Sequence, residues 1–207
     1  MKKHLLLSAL LVFGALATAI AGPKEDKMIE KIEKTNAAYA ALQIDFTQTR
    51  TVASKTTDLA GTMYFSSKDR LAMIYTNPST ERLIINGNMF HINRGGKPQT
   101  FDTAKVPAMK TLASSVLYGI TGQVNELAKT AEMDFTIEET ADAYVVKLTA
   151  RTKGVRGYSK IVLNYSKKDC VVSKMEMEEF NKTVNVYTTK SHKVNPLISG
   201  ETYNIPK

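Results

Sequence analysis

The chain has 207 residues, 43% of them hydrophobic, and 28 lysines and arginines against 20 acidic residues give it a formal charge of +8. That length suits one domain with a substantial core, and a single cysteine, Cys170, excludes an internal disulfide. The positive charges are scattered, with no arginine-rich helix and no interleaved basic and aromatic motif, so nucleic acid is not the expected partner. An anionic membrane surface or an acidic protein suits the charge better, and a plain solvated surface suits it best.

The first element is a leader. Lys2, Lys3 and His4 precede an apolar run from Leu5 to Ile20, and Ala19-Ile20-Ala21 puts small residues at the two positions a signal peptidase reads. The run falls short of the roughly 20 apolar residues of a comfortable membrane span, and Gly22-Pro23 breaks any helix behind it. Residues 1–21 therefore read as a cleaved signal peptide, and 22–207 as one mature domain. Losing Lys2 and Lys3 lowers the charge from +8 to +6. Gly22, not a cysteine, follows the cleavage point, so no lipid anchor is expected on the mature chain. The expected compartment is the periplasm of a Gram-negative type of cell.

Residues 24–42 predict an amphipathic helix, with Met28, Ile29, Ile32, Tyr39 and Leu42 on one stripe and Pro23 at its start. The period then changes to two. QIDFTQTRTV, LAGTMYFSS, RLAMIYT, RLIIN and MFHIN alternate apolar and polar residues between turn signals, and Asn86-Gly87 marks a hairpin. Residues 105–129 return to helical spacing through Val106, Met109, Leu112, Val116 and Leu117, with Gly119 and Gly122 dividing the segment into two short helices. Strands resume with MDFTIEE, AYVVKLTA, KIVLNYS, VVSKMEMEEF and KTVNVYTTKSHKV, and a last short strand is expected around Glu201–Ile205. The pattern predicts an α+β fold: an incomplete, half-open antiparallel β-barrel of about ten to eleven strands, with the two helical segments covering one face.

Chemistry-bearing residues are sparse. His91 and His192 lie in separate strands with no metal spacing and read as surface or satisfied histidines. No nucleophile elbow or phosphate loop occurs. Glu176 and Glu178 alternate with Met175 and Met177 as on any half-buried strand. Cys170 reads as a small buried hydrophobe. No catalytic residue, metal site or cofactor is expected, and the chain reads as a non-enzyme. Methionine is plentiful, nine in all, and its flexibility suits loose contact with apolar partners.

The segments LQIDFTQ and LAGTMYFSSKDRLAMIYTNPSTERLIINGNMFHI, through Phe46, Gln48, Gly61, Pro78 and Gly87, resemble the LolA family of periplasmic lipoprotein carriers. Phe46 and Gln48 match a Phe-x-Gln near the start of the first strand. Gly61 matches a glycine that opens the next, Pro78 an x-Pro turn, and Gly87 the x-Gly hairpin that follows Leu83–Ile85. The resemblance implies a helical lid over a hydrophobic cavity that takes up the acyl chains of lipoproteins. It implies an inner-membrane ABC release complex as donor, an outer-membrane acceptor and a monomeric shuttle. Two departures stand out. Ser67-Lys68 occupies the place of the family's Arg-Pro, whose arginine helps to hold the lid closed, with Arg70 nearby but shifted. Leu71 and Met73 replace aromatic residues.

Strand parity then assigns Met63, Phe65, Leu71, Met73, Tyr75, Leu83 and Ile85 to the cavity, and Met109, Leu112 and Val116 to the lid. Substituting Leu71 or Met73 by Glu is expected to reduce lipid binding more than folding. A carrier or sensor of another amphiphile on the same fold is the alternative.

Overall fold

In a computed structural model of the chain, the described residues are 22–66, 69–78, 80–154 and 157–206. The predicted signal segment 1–21 and Ser67-Lys68 lie outside them. Among the described residues, no helix is long and apolar enough to cross a membrane.

The chain enters through helix α1, Pro23–Ala37. Pro23 sits in its first turn, where a missing N–H is harmless. Glu25 and Asp26 complement the helix dipole there, and the Glu25 carboxylate accepts the Gly22 N–H at 2.6 Å. The helix ends five residues before the predicted Leu42. Leu42 instead begins the i, i+2 series Leu42, Ile44, Phe46 and pairs with both Val194 and Phe65. Pairing with distant strands overrides the local helical spacing.

The strands are β1 Ala41–Val52, β2 Lys55–Ser66, β3 Arg70–Asn77, β4 Arg82–Asn86, β5 Met89–Arg94, β6 Lys97–Asp102, β7 Met133–Glu139, β8 Ala143–Ala150, β9 Tyr158–Ser166, β10 Val172–Glu179 and β11 Val184–Val194. All join one sheet in the order β6-β5-β4-β3-β2-β1-β11-β10-β9-β8-β7. The pairings are antiparallel, and the first and last strands meet at the centre. β6 and β7 are left at opposite edges, so the sheet is not closed. Register shifts at Asp45/Phe46, Ala60/Gly61 and Val172/Lys174 curl it.

Two strand assignments differ from the sequence reading, which has no strand at 97–102. There, β6 is polar and contains Pro98, a residue tolerated because this strand is an edge. The strand expected near Glu201–Ile205 is a short 3-10 helix, Gly200–Tyr203. Its apolar side chains do not pair into the sheet. Tyr203, Ile198 and Ile205 pack instead on Ala72 and Ile84, forming a small second core on the convex face.

Helices α2, Pro107–Ile120, and α3, Val124–Thr130, connect β6 to β7. The division into two short helices is as predicted, but it falls at Gly122; Gly119, also expected to interrupt the segment, lies inside α2. The connection starts at one sheet edge and ends at the other, so it crosses the concave face. Gly122 makes the bend at φ +68°, and a Cβ there would lie 2.7 Å from Asn36 Nδ2 and 2.9 Å from Ile32 Cγ2 of α1. Gly122→Ala therefore meets both a left-handed backbone and a filled space. We expect a loss of about 2 kcal/mol and a melting temperature lowered by roughly 4–8 °C; an unchanged melting curve would show that α1 gives way freely.

Candidate functional site

The concave face is built row by row. Register aligns Phe65 with Leu71, Leu71 with Ile85, and Ile85 with Phe90, while Met63, Met73 and Leu83 form the next row. Tyr75 stands opposite Gly61. Leu71 and Met73 are wholly buried; Met63, Phe65, Tyr75 and Ile85 are nearly so, and Leu83 packs half-buried against them. All seven residues assigned to the cavity thus share one face. The other half of the sheet contributes Ile161, Leu163, Tyr165, Met175 and Met177 to the same cluster.

The lid lies on this face. Val116 is buried, and Met109 and Leu112 pack half-buried against the cluster. Ala113, Leu117 and Ile120 complete the stripe at three- and four-residue steps, with Ile120 fully buried. The sequence reading passed over Ala113 and Ile120 and put Val106 on the stripe; Val106 precedes the helix and is exposed. Beneath the C-terminal end of the lid, between Phe46, Met63, Ile120 and Met175, the void is about 10 Å³. That is barely room for one water molecule. The expected cavity is thus filled by the lid's own side chains.

Space opens at the N-terminal half of α2, and smaller clefts of about 220 and 160 Å³ flank the helix further along. A cleft of about 300 Å³ lies between Met109, Leu112, Gly157 and Phe180. Toward its C-terminal end the helix is held firmly. Gly119 carries no side chain, so Met175 and Leu163 approach its backbone, and Tyr165 donates a buried hydrogen bond to the Gly119 carbonyl at 2.8 Å. The lid is thus anchored at one end and loosely seated at the other.

Tyr165→Phe removes the anchor and leaves a buried carbonyl without its donor. We expect stability to fall by about 1–3 kcal/mol while uptake of a polarity-sensitive apolar dye rises. Dye fluorescence and a melting curve on one preparation check both signs; reduced uptake would mean that the lid does not gate this face.

Arg70 does not replace the family latch. It shares parity with Ala72 and Ile74 and starts β3 on the convex side, away from the lid. Gly61 does not open a strand; it lies within β2 at a register shift. A Cβ there would collide with the Ile74 carbonyl oxygen and stand 2.8 Å from Tyr75 Cα, so only glycine permits this close approach. Pro78 lies in the turn between β3 and β4, and Gly87, with φ +57°, makes the hairpin turn from β4 to β5.

Phe46 and Gln48 belong to one end of the core. Phe46 meets Tyr75 edge-on with ring centres 5.3 Å apart. Gln48 is buried, accepts from Tyr75 Oη at 2.6 Å and donates to Asn185 Oδ1 at 2.7 Å. Burial pushes the phenols of Tyr75, Tyr158 and Tyr187 up, so they stay protonated donors. Two residues past Gln48, Arg50 makes a two-pronged pair with Glu81 at 2.8 and 3.1 Å, both side chains largely buried. The sequence reading missed this pair, although Arg50 follows the inward parity of Phe46 and Gln48.

His91 is not on the surface, and only one of its two ring nitrogens is satisfied, Nδ1 by Thr100 Oγ1 at 2.9 Å. It is 2% exposed, and its Nε2 has no partner. His192 pairs with Asp169 at 2.9 Å. Cys170 is buried, as expected.

The family profile described as "Outer membrane lipoprotein carrier protein LolA" matches residues 37–205. No curated protein sequence matches the chain. Among solved structures, an uncharacterized conserved protein from Thermus thermophilus superposes with a TM-score of 0.53 at 10% identity, covering 88% of this chain and 94% of that one. The complex structure of Pseudomonas aeruginosa MucA/MucB gives 0.50 at 10% identity, covering 88% of this chain and 61% of the other. A LolA superfamily protein from Nitrosomonas europaea gives 0.45 at 11% identity, covering 87% and 97%. At such identities the likeness is one of fold.

Proposed function

The chain belongs to the LolA family of outer membrane lipoprotein carrier proteins, and from that membership we propose that it is an exported periplasmic carrier of lipoprotein acyl chains. It receives its cargo at an inner-membrane ABC release complex and delivers it to an outer-membrane acceptor. It acts as a monomer and without a catalytic step.

One observation carries this reading: a continuous apolar concave face is covered by a helix that is tight at one end and leaves Met109 and Leu112 half-exposed beside a cleft at the other. An acyl chain contributes about 0.8 kcal/mol for each methylene removed from water. Several long chains therefore do not cross an aqueous space unaided at a useful rate. A face filled by its own lid keeps the empty carrier folded. Displacing the lid lowers the net affinity, and the cargo then passes to an acceptor whose site needs no such opening. The buried methionines Met63, Met73, Met175 and Met177 let the surface re-form around different chains.

The test is native mass spectrometry of the protein purified from the periplasm, with lipid extraction of what accompanies it. Triacylated lipoprotein bound one to one supports the proposal. A free glycolipid or other amphiphile would keep the site and change the cargo. A protein that stays empty when mixed with detergent-solubilised lipoprotein would sink the carrier reading.

A further inference from the structure

The convex side of β4, β5 and β6 carries a second constellation. Register places Ile84 beside His91 and His91 beside Thr100, and in the next row Arg82 beside Asn93. Ile84 belongs to the convex core, so these side chains face away from the lid. Thr80, Arg82, His91, Asn93, Thr100 and Pro206 line an open cleft of about 610 Å³ there.

Two polar atoms in this cleft lack partners. His91 is 2% exposed; its Nδ1 lies 2.9 Å from Thr100 Oγ1, and its Nε2 is buried without a hydrogen bond. Asn93 Oδ1 is likewise buried and unpaired. Native proteins seldom leave such atoms unmatched, and two in one cleft point to a missing partner that serves both. Burial and the Arg82 guanidinium hold the imidazole below its ordinary range, so it is neutral and carries a single N–H. In the tautomer that the site requires, the Thr100 hydroxyl donates to Nδ1 and the N–H is on Nε2. Among the described residues, Arg82 takes part in no ion pair and no carboxylate lines the cleft.

We propose that this cleft binds a singly charged phosphate group that retains a P–OH. Arg82 pairs with the charged oxygens. His91 Nε2–H donates to one of them, and the P–OH donates to Asn93 Oδ1. One guanidinium matches one negative charge. Sulfate fills the same volume but has no proton to give to Asn93. The phosphate belongs either to a free ion or to the head of a phosphomonoester lipid.

The site is independent of the lid, so it stands or falls separately from acyl-chain carriage. The experiment titrates the mature protein with inorganic phosphate and with sulfate, by calorimetry and by imidazole nitrogen NMR. We expect phosphate to shift the His91 ring nitrogens and sulfate to bind roughly tenfold more weakly or worse. Arg82→Met and Asn93→Leu should each weaken phosphate at least about tenfold, the loss of one charge-assisted or buried hydrogen bond. Arg82 is half-exposed, so an unchanged melting temperature will show that this variant is folded. Phosphatidylcholine vesicles containing phosphatidic acid separate the sources: capture of these vesicles without binding of free phosphate, lost in Arg82→Met, assigns a lipid headgroup. Binding of neither probe, phosphate binding unchanged in Arg82→Met, or equal affinity for sulfate overturns the proposal.

Discussion

Replacing Arg50 with methionine is expected to destabilise the fold by about 3–5 kcal/mol, because Glu81 would keep its charge in a place water hardly reaches. The two side chains are 11% and 9% exposed and meet through two hydrogen bonds. The pair ties the end of β1 to the turn that precedes β4. For a chain of this size such a loss lowers the melting temperature by on the order of 10 °C. Glu81→Leu should cost a similar amount, since it strands the guanidinium instead. The double variant Arg50→Met/Glu81→Leu should recover most of the loss, because replacing both members of a buried pair by apolar groups is often neutral. Urea unfolding of the two single variants and the double variant gives the coupling directly. Single variants that lose less than about 1 kcal/mol would place the pair among ordinary surface ion pairs.

The second large effect concerns function. Leu112→Glu is expected to weaken acyl-chain binding roughly tenfold or more while stability changes by less than about 1 kcal/mol. Leu112 is half-buried at the cleft beside Gly157 and Phe180. In the closed protein a glutamate there turns to solvent. With acyl chains in the mouth, its carboxylate is desolvated, and that penalty falls on the bound state alone. Titration with a fluorescent fatty acid, alongside urea unfolding, separates the two quantities. Equal losses in binding and folding would show that the mouth is structural.

The contrast with Leu71 and Met73 matters here. Strand parity alone led to the expectation that Glu at either position would harm binding more than folding. Both side chains are wholly buried beneath the lid, so a carboxylate there is desolvated in the empty protein too. Folding should suffer first, and these positions do not discriminate between the two roles. The lid mouth does.

Much of the architecture was legible from local pattern. Alternation with period two marks each apolar strand by itself, and so the faces of β2, β3 and β4 followed from parity with no knowledge of the sheet. Asn86-Gly87 announces its hairpin because a short turn with positive φ demands such residues. Gly122 divides the lid, and the interrupted stripe that announces it is visible within a few turns, whereas Gly119 stays inside α2. These signals span a handful of neighbours, and a handful of neighbours is enough to produce them.

What only the tertiary structure decided depends on residues far apart in the chain. β6 has too little apolar surface to announce itself, and it is a strand because β5 offers it a partner. The tail around Tyr203 carries apolar residues that suit a strand, yet a convex patch at Ala72 and Ile84 takes them up first. Arg50 and Glu81, 31 positions apart, and Gln48 and Asn185, 137 apart, meet only when the sheet curls. Nor does sequence pattern say whether a concave face is empty or filled, because that is a matter of volume. Side-chain character comes from each residue and its neighbours, whereas free volume and long-range pairing arise only when the whole sheet closes on its lid.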